Sequence, residues 1–512
     1  MRRALDPALL VALAALIWVL QYTSGAYSSD FTVNEDEPAH VVSSLMVRDY
    51  VANAFPTTPL RFAANYYAHY PKVAIGHWPP VFYVTEAAWM LVFGRSKAAM
   101  LVLVALAGCA LCAAVFLWVK RDGGPWVALL CAALLATMHV TRVATYSVAP
   151  DILLALFIFL AAGAYGVYLE THDRRYLIAF GILALACVGT HGRGLGVALI
   201  PVVASALQGR LFRNPSRLLL TAVIGAAAVW LAVTVGQSYP ISTASVVENA
   251  GTYAYQLAAA VGWPVAMIAP VGVWFAVRDG RGRWIAMTAL LISMWVFHAV
   301  MNVPIGKHYG LTAMPAVLVL FALAWIGLKR MAIANVGFAL TGCILIGINM
   351  YHVAIKPDLR IHAVAQEILN SAPGNVILVA GDPLYEGALI SEAALLDPNQ
   401  TRILLRASKV LSHDTWSRKA YLPSFANADQ TAEYLDQVGA GLLVLQSTLE
   451  PVHMSQLAEV TVRNPQRWSE VPLSPARRDL RVYRRSDEIP KRATPIRIDL
   501  RDRIGRFIEI QE

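Results

Sequence analysis

Residues 34–50, NEDEPAHVVSSLMVRDY, and 66–83, YYAHYPKVAIGHWPPVFY, bound the stretch on which the reading of this chain turns. It follows directly on an apolar run and gathers carboxylates, histidines and aromatic rings. Glu35, Asp36 and Glu37 stand beside Pro38, whose ring fixes its own φ and disfavours helix in the residue before it, so a helix is expected to start near Glu37. Apolar spacing as far as about Asn53 suits an amphipathic helix, with the acids at its N-terminal end, where the helix dipole favours negative charge. Capping needs only one such residue. Three acids beside a membrane-embedded body, with His40 a turn on and His77 ahead of Pro79 and Pro80, mark a candidate functional site.

The rest of the chain reads as its scaffold. With 512 residues, 57% of them hydrophobic and 15% charged, and a mean hydropathy of +0.53, the composition is that of a polytopic α-helical membrane protein. The net charge of +9 does not indicate a nucleic-acid partner, because the basic residues lie mostly in short loops between apolar runs, where they act as topology signals. Cys109, Cys112, Cys131, Cys187 and Cys343 all lie in or at the ends of apolar runs, so neither disulfides nor a cysteine metal site is expected.

After Arg2 and Arg3 comes an apolar run from about Pro7 to Tyr22, read as an uncleaved first span. Further runs follow at about 98–119, 125–144, 151–169, 176–189, 195–208, 217–236, 258–277, 284–301, 310–328 and 331–351, about 11 spans in all, with 176–189 and 195–208 short enough for a re-entrant pair. A cytoplasmic amino terminus puts Lys120, Arg121, Arg174, Arg175, Arg213, Arg278, Lys329 and Arg330 inside, provided that 78–93, which carries Glu86 and is shorter than a span, does not cross. The first loop (24–97), the segment from Arg142 to Asp151, the turn at His191 to Arg193, the loop 237–257 and the turn at Asn302 to Tyr309 are then external. Asp36, Glu37, His77, Arg142, Asp151, Arg193, Lys307 and His308 are expected on that one side.

Beyond about Pro357 strand-like and helix-like segments alternate, predicting a small extracytoplasmic α/β domain. The expected division is a transmembrane domain at 1–355, a soluble domain at 356–487 and a charged tail at 488–512. Carboxyl strand ends would bring Gly381, Asp382, Gln446 and Ser447 to one edge, a docking edge rather than a second active site, since no glycine-rich phosphate fingerprint is present.

The order DEP-x-H, GHWPPVFY, APDILLALFIFLA, THGRG, KHYGLTAMP resembles the dolichyl-phosphate-mannose protein mannosyltransferase and aminoarabinose transferase group, membrane glycosyltransferases of the C superfamily, over roughly residues 1–350. The resemblance implies an acidic pair at Asp36 and Glu37, a second acidic position at Asp151, a Pro-Pro motif at His77 to Pro80, a turn at Arg193-Gly194 and a further motif at His308-Tyr309 with Pro315. It implies a polyprenyl-phosphate-linked sugar as donor and an extracytoplasmic active site in the cell's inner membrane.

Such a transfer needs a general base for the acceptor hydroxyl and cations for the leaving lipid phosphate. Asp36 is the expected base, Glu37 a positioning carboxylate, and Asp151 a supporting or acceptor-binding group. Arg193, Lys307, His77, Arg142 and Tyr309 are expected at the donor phosphate. A single displacement, with inversion, needs one base. The acceptor, a hydroxyl of a protein, lipid or polysaccharide, is left open. So is a divalent metal: His40, His69 and His77 match no zinc spacing. The rival expectation is a transporter or flippase of a lipid-linked sugar, which corresponding repeat halves would favour; the sequence has none.

Overall fold

The computed structural model describes every residue except 1, 56, 75, 210–245, 302–304, 414–420, 449, 474–476, 491–494, 501–505 and 511–512, with the side chains of 2–4, 499–500, 506 and 510 also left out. The expected span at 217–236, Arg213 and the first part of the loop 237–257 fall outside the described residues. The chain divides into two compact units, one of residues 1–26, 78–82 and 101–355, the other of 27–77, 83–100 and 356–512.

The first unit is helical and apolar, that of a multi-pass membrane protein. Among the described residues five helices are long and apolar enough to cross a bilayer: Leu5–Thr23, Lys97–Thr137, Asp151–Thr171, Gly282–Val300 and Ala332–Tyr351. A sixth span is formed if the pair Val246–Val261 and Trp263–Asp279 counts as one. The 41 residues of Lys97–Thr137 would extend about 60 Å, twice a hydrocarbon core of ~30 Å, and are divided at Gly124, which takes φ 79° and ψ 174° and falls between the runs expected at 98–119 and 125–144. The segment 258–277, expected as one span, is broken at Gly262 (φ 88°), where the flanking helices meet at 111°. Part of the expected loop 237–257 is therefore helix. The apolar helices Gly192–Leu207 and Met314–Leu328 are short, as is Val81–Phe93, whose 13 residues span only about 20 Å.

The second unit is built on a five-stranded mixed sheet. Its strands are β1 (Val376–Ala380), β2 (Ile403–Arg406), β5 (Ala440–Gln446), β6 (Trp468–Val471) and β7 (Leu480–Arg485), in the order β2-β1-β5-β7-β6. Strands β2, β1 and β5 are parallel, and β7 and β6 add antiparallel edges. All of β1 and most of β5 are buried, as expected for parallel strands covered on both faces. Two small ladders complete the strands: β3 (Ser412–His413) with β4 (Leu422–Pro423), and β8 (Ile496–Leu500) with β9 (Arg506–Ile510). The charged tail thus holds a hairpin, whose Ile496, Ile498 and Ile508 are buried.

The first loop is packed into this same unit rather than standing apart as an appendage of the spans. Asp30 accepts from the backbone N–H groups of Ile361 (2.7 Å) and His362 (3.0 Å), at the start of a helix. Tyr70 donates to the Asp397 carbonyl at 2.8 Å. The Arg95 guanidinium donates to the carbonyls of Leu395 (2.6 Å) and Ala394 (2.5 Å), closing the C-terminal end of the helix Pro383–Leu396. Lys97 pairs with the buried Glu392 at 2.9 Å.

Candidate active site

The acidic turn lies in the second unit, and local hydrogen bonding separates its three carboxylates. Asn34 Oδ1 accepts from the backbone N–H groups of both Asp36 and Glu37 at 2.9 Å. Asn34 thus ties down the amides that lead into the helix. Asp36 occupies the N-cap position of the helix Glu37–Asp49 with φ −91° and ψ −28°, and its side chain makes no capping bond. Glu37 is engaged differently. Its Oε2 accepts from Val33 N at 2.9 Å, and its Oε1 pairs with Lys356 Nζ at 2.8 Å, both side chains being fully buried. Glu37 supplies the counter-charge that the buried Lys356 needs.

Around this turn the helix Glu37–Asp49 presents His40, whose Nδ1 lies 2.9 Å from the Tyr83 hydroxyl, the two rings stacked at 5.9 Å. His69 Nδ1 lies 2.9 Å from the Asn65 carbonyl. His77 is half-buried on a tight turn, its N–H donating to Ala74 O at 3.3 Å.

Lys72 was missed in the sequence. A β-carbon on Gly387 would come within 3.0 Å of its Cε, 3.2 Å of its Nζ and 3.2 Å of Pro38 Cγ, so the ammonium packs closely against the glycine. Burial first, and then Arg406, push Lys72 down to about 7 against the opposing pull of Glu386, Asp36 and Glu35. The available signal was a lone lysine among aromatic and apolar residues in YYAHYPKVA.

In the first unit the cationic cluster is built on the turn THGRG. Gly194 is required there, since a β-carbon would fall 2.2 Å from the Cys187 carbonyl oxygen at the end of the preceding helix. His191 caps the short helix Gly192–Leu199, its Nδ1 accepting from Arg193 N at 3.1 Å. The turn directs the buried Arg193 onto Asp151, Nη2 to Oδ1 2.5 Å, with its guanidinium 4.8 Å over the Tyr309 ring. Tyr309 meets His298 edge-on at 5.6 Å, and His298 stacks on Tyr253 at 4.3 Å. Three of the residues expected together, Asp151, Arg193 and Tyr309, are in contact. Asp151 also begins its helix after Pro150. Lys307 opens the short helix Lys307–Thr312 and is exposed; the adjacent His308 ring lies 4.3 Å from that of Tyr309.

Arg142, expected at the donor phosphate, donates from Nη1 to the carbonyls of Asn349 (2.9 Å) and His352 (3.0 Å) at the C-terminal end of the helix Ala332–Tyr351.

Among the described residues no three His, Cys, Asp or Glu side chains are grouped to hold a metal ion. Glu37 and His40 of the turn instead have protein partners.

Comparison with known proteins follows the same lines. Residues 77–235 match the family model described as dolichyl-phosphate-mannose-protein mannosyltransferase. The fold is that of solved membrane glycosyltransferases. ArnT from Cupriavidus metallidurans in the apo state superposes with a TM-score of 0.52 at 15% identity, over 92% of this chain and 97% of that one. The same protein bound to undecaprenyl phosphate gives a TM-score of 0.53 at 14% identity, over 94% and 98%. The oligosaccharyltransferase of Archaeoglobus fulgidus, in complex with Zn and sulfate, gives 0.55 at 14% identity, over 86% of this chain and 68% of that one. No curated protein matches the chain. The family resemblance read from the short motifs is thus borne out, by a family model over part of the chain and by the fold over most of it.

Proposed function

We propose that this chain is an integral membrane glycosyltransferase that moves a sugar from a polyprenyl-phosphate donor to a hydroxyl acceptor outside the cytoplasm, with inversion at the anomeric carbon. The observation that carries the proposal is the fold shared over most of the chain with a protein solved bound to undecaprenyl phosphate, together with the adjacent carboxylates Asp36 and Glu37 at the start of the helix Glu37–Asp49. Asp36 takes the acceptor's proton as the acceptor oxygen bonds to the anomeric carbon, and the bond from that carbon to the phosphate oxygen breaks with its electron pair leaving on the phosphate.

Within the first unit, Arg193, Tyr309 and Lys307 provide a donor-phosphate site. The role of Asp151 is to hold the guanidinium of Arg193 in place. The donor class is supported by the fold shared with a transferase solved with undecaprenyl phosphate. The site and the carboxyl-terminal domain are assigned to the external face of the inner membrane by the loop charges.

The test is a transfer assay on purified, folded Asp36→Asn. Asn keeps the size of the side chain and its ability to cap, so a purely structural role predicts little loss. General-base catalysis predicts a fall of ~10²–10⁴-fold with donor binding retained. Near-normal turnover would remove Asp36 as the base.

A further inference from the structure

The function above makes no use of a cavity of about 340 Å³ in the second unit, within the range of small-ligand sites. It opens at the carboxyl edge of the parallel strands. Tyr385 on its wall lies in the first turn of the helix that follows β1, and Asp479 immediately precedes β7, whose Leu480 is paired with Gln446 at the end of β5. The ends of β1 and β5 are joined beside it by Asp382 and Gln446, through bonds of 2.7 and 3.0 Å. Open α/β sheets bind ligands in the crevice at this edge.

The wall is organised in advance. Arg477 grips Asp479 with two bonds (Nε to Oδ1 3.0 Å, Nη2 to Oδ2 2.5 Å), donates to the Leu359 carbonyl at 2.5 Å, and reaches the Tyr385 hydroxyl at 3.1 Å. That hydroxyl in turn donates to Asp479. Arg477 first of all, by its hydrogen bonds, holds the Asp479 carboxyl down to about 2, so the network keeps its charge at every physiological pH. Arg360, also on the wall, has a left-handed backbone (φ 54°, ψ 37°), which a side chain disfavours and which functional sites tolerate.

The charges on the wall balance: Asp358, Glu367 and Asp479 oppose Arg360, Arg477 and Arg478. A phosphate or carboxylate ligand would meet three carboxylates here. Alternating fixed donors and acceptors beside a tyrosine ring instead suit a neutral molecule with many hydroxyls and an apolar C–H face.

We infer that this crevice is a saccharide-binding site for a neutral sugar, by which the α/β domain docks a glycan acceptor. The docking role rests on the glycosyltransferase reading; the binding of sugar does not.

The experiment is saturation-transfer NMR on the full-length protein in nanodiscs, with methyl α-mannoside, methyl α-glucoside and methyl β-galactoside as probes and inorganic phosphate followed in parallel by ³¹P line width. At least one glycoside is expected to receive saturation, reduced about fivefold or more by Tyr385→Ala. Glu367→Gln, on an exposed helix face, is expected to reduce it about threefold and decides the matter if Tyr385→Ala does not fold. No transfer to any of the three glycosides, equal transfer in wild type and Glu367→Gln, or broadening of phosphate alone would overturn the site. Binding of polyprenyl phosphate is measured on the same samples. Its loss in wild type with glycoside binding intact would count against the enzymatic reading and not against the crevice.

Discussion

The acidic turn at Asn34 to Pro38 and the arginine turn at His191 to Gly194 use similar materials in opposite ways. Each involves a carboxylate at a helix start next to proline: Glu37 before Pro38 in the first, and Asp151, the partner of Arg193, after Pro150 in the second. Asp151 is committed to a buried guanidinium at 2.5 Å, whereas at the acidic turn the committed carboxylate is Glu37, held by Lys356 at 2.8 Å, and the neighbouring Asp36, at the N-cap, makes no cap bond. A carboxylate at a helix start is thus not a cap by residue type alone: it needs an N–H at the second or third helical residue, and Pro38 removes the first of these.

Substitutions can break this contrast, and the largest effect is expected at Glu37. Glu37→Gln leaves the Lys356 ammonium buried without a counter-charge and should destabilise the protein by about 3–5 kcal/mol. The double variant Glu37→Leu with Lys356→Met should recover most of that loss, since an apolar pair of similar volume often replaces a buried ion pair at little cost. Thermal unfolding of the detergent-solubilised protein measures both, and an unchanged midpoint for Glu37→Gln would return Glu37 to the reacting groups.

The next largest effect concerns the arginine turn. Arg193→Ala should weaken binding of polyprenyl phosphate by roughly 10–100-fold, as befits removal of a charge-assisted contact of ~1.5–3 kcal/mol. Asp151→Asn should cost less, since Asn still contacts the guanidinium. Arg142→Ala should leave donor affinity unchanged while loosening the end of the helix Ala332–Tyr351. Calorimetric titration of the three variants separates these roles; equal losses at Arg142 and Arg193 would contradict the capping assignment.

Asn34→Ala sharpens the comparison on a smaller scale. Loss of the two Asn34 bonds should cost about 1 kcal/mol and loosen the turn that carries Asp36. Turnover should then fall more than stability does. The smallest signal is a titration: with ¹³C-methylated lysines, one resonance, lost in Lys72→Arg, should lose its proton as pH rises through about 7 rather than near 10. A Lys72 that stays protonated to pH 10 would mean that its ammonium is hydrated beside Gly387.

Much of the architecture could be read from residue order, because hydropathy reports burial in lipid directly. The apolar runs at 151–169, 284–301 and 331–351 coincide with the helices Asp151–Thr171, Gly282–Val300 and Ala332–Tyr351. The break at Gly262 could not be read, since a glycine in an apolar run looks the same whether the helix passes through it or turns by 111°. Nor could the packing of the first loop onto the carboxyl-terminal residues, where Glu37 and its partner Lys356 are 319 positions apart. Asp151, Arg193 and Tyr309 are charged or aromatic groups near span ends, and they do meet. Arg142 stands out on the same grounds, but the carbonyls it bonds belong to a helix end some 200 residues away and leave no trace in side-chain identity.

The most direct test of the central claim is the covalent fate of the donor. Purified wild-type protein in liposomes would be given a polyprenyl phosphate carrying a ¹⁴C-labelled sugar, together with candidate hydroxyl acceptors, and the products would be separated into lipid and aqueous phases. The account predicts that label leaves the lipid, that free polyprenyl phosphate appears in equal amount, and that both changes are lost in Asp36→Asn. Label that remains lipid-linked while crossing from one leaflet to the other, equally in wild type and Asp36→Asn, would contradict it and make the protein a carrier of the lipid rather than an enzyme acting on it.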